Sequence, residues 1–177
     1  CRSCQSRDPS GAGGFGHTAL AGDGGERGAD FRRAAAAVFH EESEQLRENL
    51  ETMAEMNERL VTDAPQTFRE ACQWIVWYQM MARMYNGSGS LGRLDVVLTP
   101  FYEQDKAAGL LTDDEATFHI ACLLLRDTAY IHLGGPNETG VDVTNRVSYL
   151  VLEAAHQLRI PANVGVSVGA NIDEGLL

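Results

Sequence analysis

The stretch TFREACQWIVWYQMMARMY, residues 67–85, leaves the rest of the chain little freedom. Thr67 with Glu70 three positions on is a capping-box signature, and Ala64-Pro65 breaks whatever helix precedes it. The helix opened there carries Ala71, Cys72, Trp74, Ile75, Val76, Trp77, Tyr78, Met80 and Met81 on nearly every side. A helix with so thin a polar face is normally buried on more than one side, in a body larger than 177 residues provide. A single domain of this length buries ~70% of the surface of its unfolded chain. The expectation is an internal piece of a longer protein, in keeping with a chain that starts without methionine and stops without a closing element.

Upstream, residues 1–30 hold eight of the 18 glycines among Ser, Asp and Arg, and read as a flexible Gly-rich segment. Cys1 and Cys4 form a C-x-x-C, but Cys72 and Cys122 stand alone in helical runs. A zinc site needs four converging ligands, so no metal is expected. The folded part is expected to run from 31 to 177 as a partial domain. It begins with a helix in which Phe39, Leu46, Met53 and Leu60 recur every seven residues, with Leu50 and Met56 on the same face. Such a stripe faces a core or a coiled-coil partner, and the glutamates around it make a solvated face.

Downstream, Thr112 with Glu115 opens another helix, with Phe118, Ala121, Cys122 and Leu125 along one face. Leu133 to Gly140 is turn chemistry, and Asp142 is placed to cap a helix with the stripe Val147, Leu150, Val151, Ala154 and Leu158, ended by Ile160-Pro161. Val164, Val166 and Val168 then alternate with Gly165, Ser167 and Gly169. That pattern is a strand with one branched face and one nearly bare face, suited to close approach by backbone or ligand.

A net charge of −11 with no basic stripe excludes nucleic acid and disfavours an anionic membrane. No apolar run reaches the ~18 residues of a membrane span. Few, scattered cysteines and no visible secretory signal point to the cytoplasm.

Two phosphate motifs overlap in NGSGSLGRLD, residues 86–95. Gly87, Gly89 and Gly92 spell the dinucleotide fingerprint, and Gly87 with Gly92 frame a near P-loop. The fingerprint works between a strand and a helix, whereas a capped helix precedes it here. Arg93 stands where the P-loop needs lysine, and Leu94 where it needs Ser or Thr. The run after it, Leu94 to Thr99, meets Pro100 after about two turns. A glycine-rich connection is the better reading. His119 and His156 lie in helical runs and offer no catalytic pair by spacing, and Asp113-Asp114-Glu115 suits a helix start.

Several motifs in order resemble the glycyl radical enzymes of the pyruvate formate-lyase type. Thr67-Phe68-Arg69-Glu70-Ala71 is similar to the family's T-F-x-E-A helix start, and NGSGSLGRLDVVLTPFYEQD to its N-G-x-G-x-S-x-G-R-x-D-Q-x-L-Y-P-F-Y-x-x-D segment. GLLTDDEA follows as G-x-L-T-x-E-E-A does, and DVTNRVSYLVLEA resembles D-x-T-N-x-L-S-Y-L-x-L-E-A, over about residues 60 to 175. The resemblance implies an α/β fold: part of a ten-stranded barrel, here mostly helical with one or two strands, in a parent that is usually a homodimer. It implies radical chemistry, with a glycyl radical installed by a separate iron–sulfur, S-adenosylmethionine activase and passed to a thiyl cysteine.

Family members cleave pyruvate with coenzyme A, dehydrate diols, or split C–N and C–C bonds, and all act on small molecules. The leading expectation is pyruvate formate-lyase-like C–C cleavage, with a diol or glycerol dehydratase or C–N lyase as the alternative. A helical interaction module on the Phe39–Leu60 stripe is the non-enzymatic alternative. The radical glycine of the family lies in an R-V-x-G-Y loop, whereas Arg146-Val147-Ser148-Tyr149 has no glycine. The family's thiyl cysteine falls in a loop after the valine strand. The resemblance therefore implies no catalytic residue in this chain, and places His17, Arg93 and Asp95 in the substrate pocket. Val96 and Thr99 replace the family's Gln and Tyr, which leaves the substrate branch open.

Overall fold

The structure is a computed structural model that describes residues 44–87, 89–169, 171–172 and 174–176. His17, Cys1, Cys4, Phe39 and the expected boundary at residue 31 lie outside them. The chain divides into two compact units between Ala64 and Pro65.

In the first unit, α1 spans Glu44–Arg59. Glu48, Glu51, Glu55 and Glu58 are exposed, as the solvated-face reading expects. The seven-residue stripe is unevenly covered: Leu46 is exposed, whereas Met56 and Leu60 are buried with Asn57. The Asn57 amide donates to the Met53 carbonyl, one turn back, at 2.6 Å.

The second unit opens on α2 (Phe68–Asn86). Its capping box is formed in both directions: the Glu70 amide donates to Thr67 Oγ1 at 3.3 Å, and Glu70 Oε2 accepts from the Thr67 amide at 3.0 Å. Gly87 ends the helix at φ 64°, a left-handed cap that glycine takes without a Cβ penalty. The chain continues through β1 (Ser90–Gly92), α3 (Leu94–Ala107), α4 (Asp113–Arg126), β2 (Tyr130–Leu133), α5 (Arg146–Leu158) and β3 (Val164–Val166), with a 3-10 turn at Glu174–Leu176. The strands form a parallel sheet in the order β1-β2-β3, so α3 and α4 make one crossover and α5 the other. Only β3 is legible as a strand in the sequence. All three strands are only three or four residues long; β3 is legible because the Val/Gly alternation continues beyond it to Gly169, whereas β1 and β2 have no such continuation.

The sheet has two unlike faces. Leu91, Ile131 and Leu133 are buried, and Val164 and Val166 pack against the same core as Phe68, Leu94 and Leu98. On the opposite face Ser90, Tyr130, His132 and Gly165 are exposed. This is the bare face that the Val/Gly alternation predicts, but only over Val164–Val166: the strand ends there, and Val168, expected on the branched face, is exposed.

Helix α5 buries Val147, Leu150, Val151 and Ala154 as its stripe requires. Helix α4 does not bury the expected face. Ala116, Ile120, Leu123 and Leu124 are buried, whereas Phe118 and Leu125 are 63% and 60% exposed. Both stripes are apolar, and α4 packs against α2 and α5 with the one that fits between them. Helix α3 runs through Pro100 rather than stopping there. The carbonyl that Pro100 cannot serve belongs to Val96, an exposed residue within reach of water. Asp142 does not cap α5. Asn145 does, with its Oδ1 accepting from the Ser148 amide at 3.2 Å, and the helix begins three residues later than Asp142 would set it.

Candidate functional site

In parallel α/β sheets, ligands gather beyond the carboxyl ends of the strands. Three segments leave the sheet at that edge: Arg93-Leu94-Asp95 after β1, Gly134-Gly135-Pro136 after β2, and Ser167-Val168-Gly169 after β3.

Asp95 ties the first two together. It is fully buried in the first turn of α3, where the helix dipole favours its charge. Its Oδ2 accepts from the Gly134 amide at 2.7 Å and from the Ser148 hydroxyl at 3.0 Å. Its Oδ1 accepts from the Val96 amide at 2.8 Å and lies 3.5 Å from Arg93 Nε. The carboxylate thus links α3, the β2–α5 loop and α5, and both of its oxygens are engaged by the chain itself. Arg93 is half-exposed, yet its Nε and one terminal nitrogen are buried without a hydrogen-bond partner.

Asp142 holds the same loop from its other end. Its Oδ1 accepts from the Gly135 amide at 3.1 Å and from the Thr144 amide and hydroxyl at 3.0 and 2.8 Å. Gly135 sits at φ 88°, and a Cβ there would fall 2.2 Å from Ser167 Cβ, so only glycine lets the loops after β2 and β3 close on each other.

The same edge carries a residue that spacing arguments pass over. His132 points from β2 onto the bare face, opposite Gly165 in register, and its Nε2 is hydrogen-bonded to Ser167 Oγ. On the same face, toward the amino ends of the strands, a cleft of about 500 Å³ is lined by Ser90, Tyr130, His132, Asn163 and Gly165 among others. Among the described residues, no Lys, Arg, Asp or Glu lines it. The one available signal was His132's place two residues before Gly134-Gly135.

The other candidates are held elsewhere. The first two glycines of the fingerprint precede β1: Gly87 caps α2, and a Cβ at Gly89 would crowd Gln79, whose amide bonds the Ser90 carbonyl. A dinucleotide loop requires its glycines after the strand, so this geometry does not form one. Asp113 does more than favour a helix start. Tyr102, Lys106 and Arg146 all donate to it at 2.7–2.9 Å, and together they hold its carboxyl well below the usual range. Cys72 is buried in α2, which pushes its thiol far up, and burial likewise lowers His119. No group of three or more metal-binding side chains occurs among the described residues. Among them, too, no helix is long and apolar enough to cross a membrane.

Residues 23–177 match a family model described as pyruvate formate lyase-like. An isethionate sulfite-lyase of Nitratidesulfovibrio vulgaris is 29% identical over 150 residues, covering 71% of this chain and 18% of that protein. A trans-4-hydroxy-L-proline dehydratase of Clostridioides difficile is 28% identical over 168 residues, covering 79% of this chain and 21% of its own length. The crystal structure of a glycyl radical enzyme from Archaeoglobus fulgidus superposes with a TM-score of 0.77 at 25% identity, over 89% of this chain and 23% of that one. The chain thus spans about a fifth of the length of the proteins it matches.

Proposed function

The chain belongs to the pyruvate formate lyase-like family of glycyl radical enzymes, as a partial segment of it, and from that premise we propose that its parent is a lyase that eliminates a small leaving group from its substrate. The observation that carries this reading is its likeness, over most of the chain, to a sulfite-lyase and a dehydratase. It supports elimination comparably with pyruvate formate-lyase-like C–C cleavage.

The family generally uses a glycyl radical installed by an activase, which supplies hydrogen-atom abstraction. The residues of this chain suit a supporting role around that chemistry. Arg146 to Tyr149 form the first turn of α5 rather than a glycyl loop, and Cys72 and Cys122 lie in helices away from the bare sheet face. We assign both radical residues to other parts of the parent. Arg93 stands at the strand edge with N–H groups to spare, and Asp95 serves that edge by fixing the Gly134 loop. His17 joins the pocket on resemblance alone. A cytoplasmic homodimer served by a separate activase completes the reading.

The test is the full-length parent, anaerobically activated and offered isethionate, trans-4-hydroxyproline, 1,2-propanediol, and pyruvate with coenzyme A. The expected outcome is release of sulfite or water from one of the first three. Formate and acetyl-coenzyme A from pyruvate, with no elimination product, would reject it.

A further inference from the structure

Helix α2 is apolar on nearly every side, and the chain covers only one of them. The inner face carries Phe68, Ala71 and Cys72, buried in a core otherwise built mainly of Leu, Val, Ile and Ala. The outer face carries Trp74, Tyr78, Met81 and Tyr85, spaced four, three and four residues apart, so that they share one side of the helix. Trp77 and Met84 flank them, and Tyr78, Met84 and Tyr85 are 66%, 77% and 89% exposed.

The two faces differ in kind. Aliphatic side chains dominate what this chain packs within itself, whereas Trp, Tyr and Met are enriched where separate proteins meet. The outer face is also free of unpaired charge. From Ala71 to Asn86 the helix has no Asp, Glu or Lys, and its single arginine, Arg83, is taken by Asp127. In a chain of net charge −11, copies repel one another across most of their surface, and a neutral face is where they can approach. Phe118 of α4 is exposed as well, but it has the exposed acids Asp114 and Glu115 one turn away.

The size of the face fits too. A stable interface takes about 800 Å² from each partner, and an aromatic side chain brings ~150–250 Å² when fully covered. Trp74, Tyr78 and Tyr85 with Met80 and Met84, all exposed, supply most of that area from one helix. We propose that the outer face of α2 is the surface on which two copies of the parent join about a two-fold axis, α2 of one against α2 of the other. A two-fold contact sets the same patch on both sides, so a neutral aromatic face meets its own complement. The proposal rests on the homodimer in the reading above, names its surface, and is independent of the reaction catalysed.

The test is sedimentation of the full-length parent, without activation, over a range of concentrations. A dimer is expected, with a dissociation constant that rises about thirtyfold or more in the double variant Tyr78→Glu, Met84→Glu, as loss of interface hot spots does. Leu110→Glu, at an exposed apolar residue outside α2, leaves the constant unchanged. An unaltered circular dichroism spectrum checks that the double variant folds. A second variant, Tyr85→Cys, reads coverage directly: maleimide, followed by peptide mass at that position, labels the dilute monomer and is excluded from the dimer.

A double variant that dimerises as tightly as the parent overturns the surface and keeps the homodimer. A parent that is monomeric at every concentration overturns both. Labelling of Tyr85→Cys that is equally slow in the monomer also overturns the proposal, because the rest of the parent's own chain then covers α2. The elimination reading fails separately, on the products released from the four substrates above.

Discussion

Asp127 shows how much a single carboxylate can organise. Arg83 donates to both of its oxygens, at 2.8 and 2.5 Å, and the Ala129 amide adds a third hydrogen bond at 2.8 Å. The bond from Arg83 holds the Asp127 carboxyl below its ordinary range. A carboxylate depressed in the folded state contributes stability above its unfolded pKa of about 3.9, and that contribution disappears as pH falls through the folded value. Urea unfolding followed from pH 7 to pH 2 is therefore expected to show stability falling below about pH 4. Asp127→Asn should flatten that fall and lower stability at neutral pH; an unchanged acid slope would count against the pairing. Neither partner is legible in the sequence as one of a pair, because 44 residues separate them. The capping boxes at Thr67 and Thr112 were legible, since both halves lie within four residues. The same contrast holds for His132: its partner Ser167 follows β3 and its register neighbour Gly165 lies in β3, both more than 30 residues on.

Helix α4 is where periodicity misleads. Its sequence carries two apolar stripes, and reading it alone favours Phe118, Ala121, Cys122 and Leu125. The helix instead buries Ile120, Leu123 and Leu124. Leu124→Ala should cost about 2–5 kcal/mol, as large-to-small changes in a packed core do. Leu125→Ala, one residue on, should stay within about 0.5 kcal/mol. Denaturant unfolding of the two variants in parallel checks the pair, and equal losses would reject the orientation of α4. Helix α5 buries Val147, Leu150, Val151 and Ala154, the stripe that its periodicity favours. Helix α3 continues through Pro100 because the cost of a proline depends on whether the freed carbonyl meets water, which only position in the fold determines.

Helix α2 leaves several large apolar side chains exposed. Trp74, Tyr78, Met80, Met84 and Tyr85 of α2 are all exposed, and Trp74 stacks edge-on with Trp77 at 6.1 Å. Exposed apolar side chains of this size bind hydrophobic dyes. The isolated chain is expected to raise 1-anilinonaphthalene-8-sulfonate fluorescence, and the triple change Trp74→Ser, Tyr78→Ser, Met84→Ser to remove most of the rise. A dye signal unmoved by those changes would place the apolar surface elsewhere.

By themselves the residues determined the long helices, two of their capping boxes, the bare face of β3 and the family, since each depends on neighbours close in the chain or on motifs in order. Tertiary structure alone decided which face of α4 is buried, that Asp95 locks the Gly134 loop, and that His132 meets Ser167 over a glycine. Those outcomes depend on groups up to 53 residues apart, brought together only when the helices and the parallel sheet share one core.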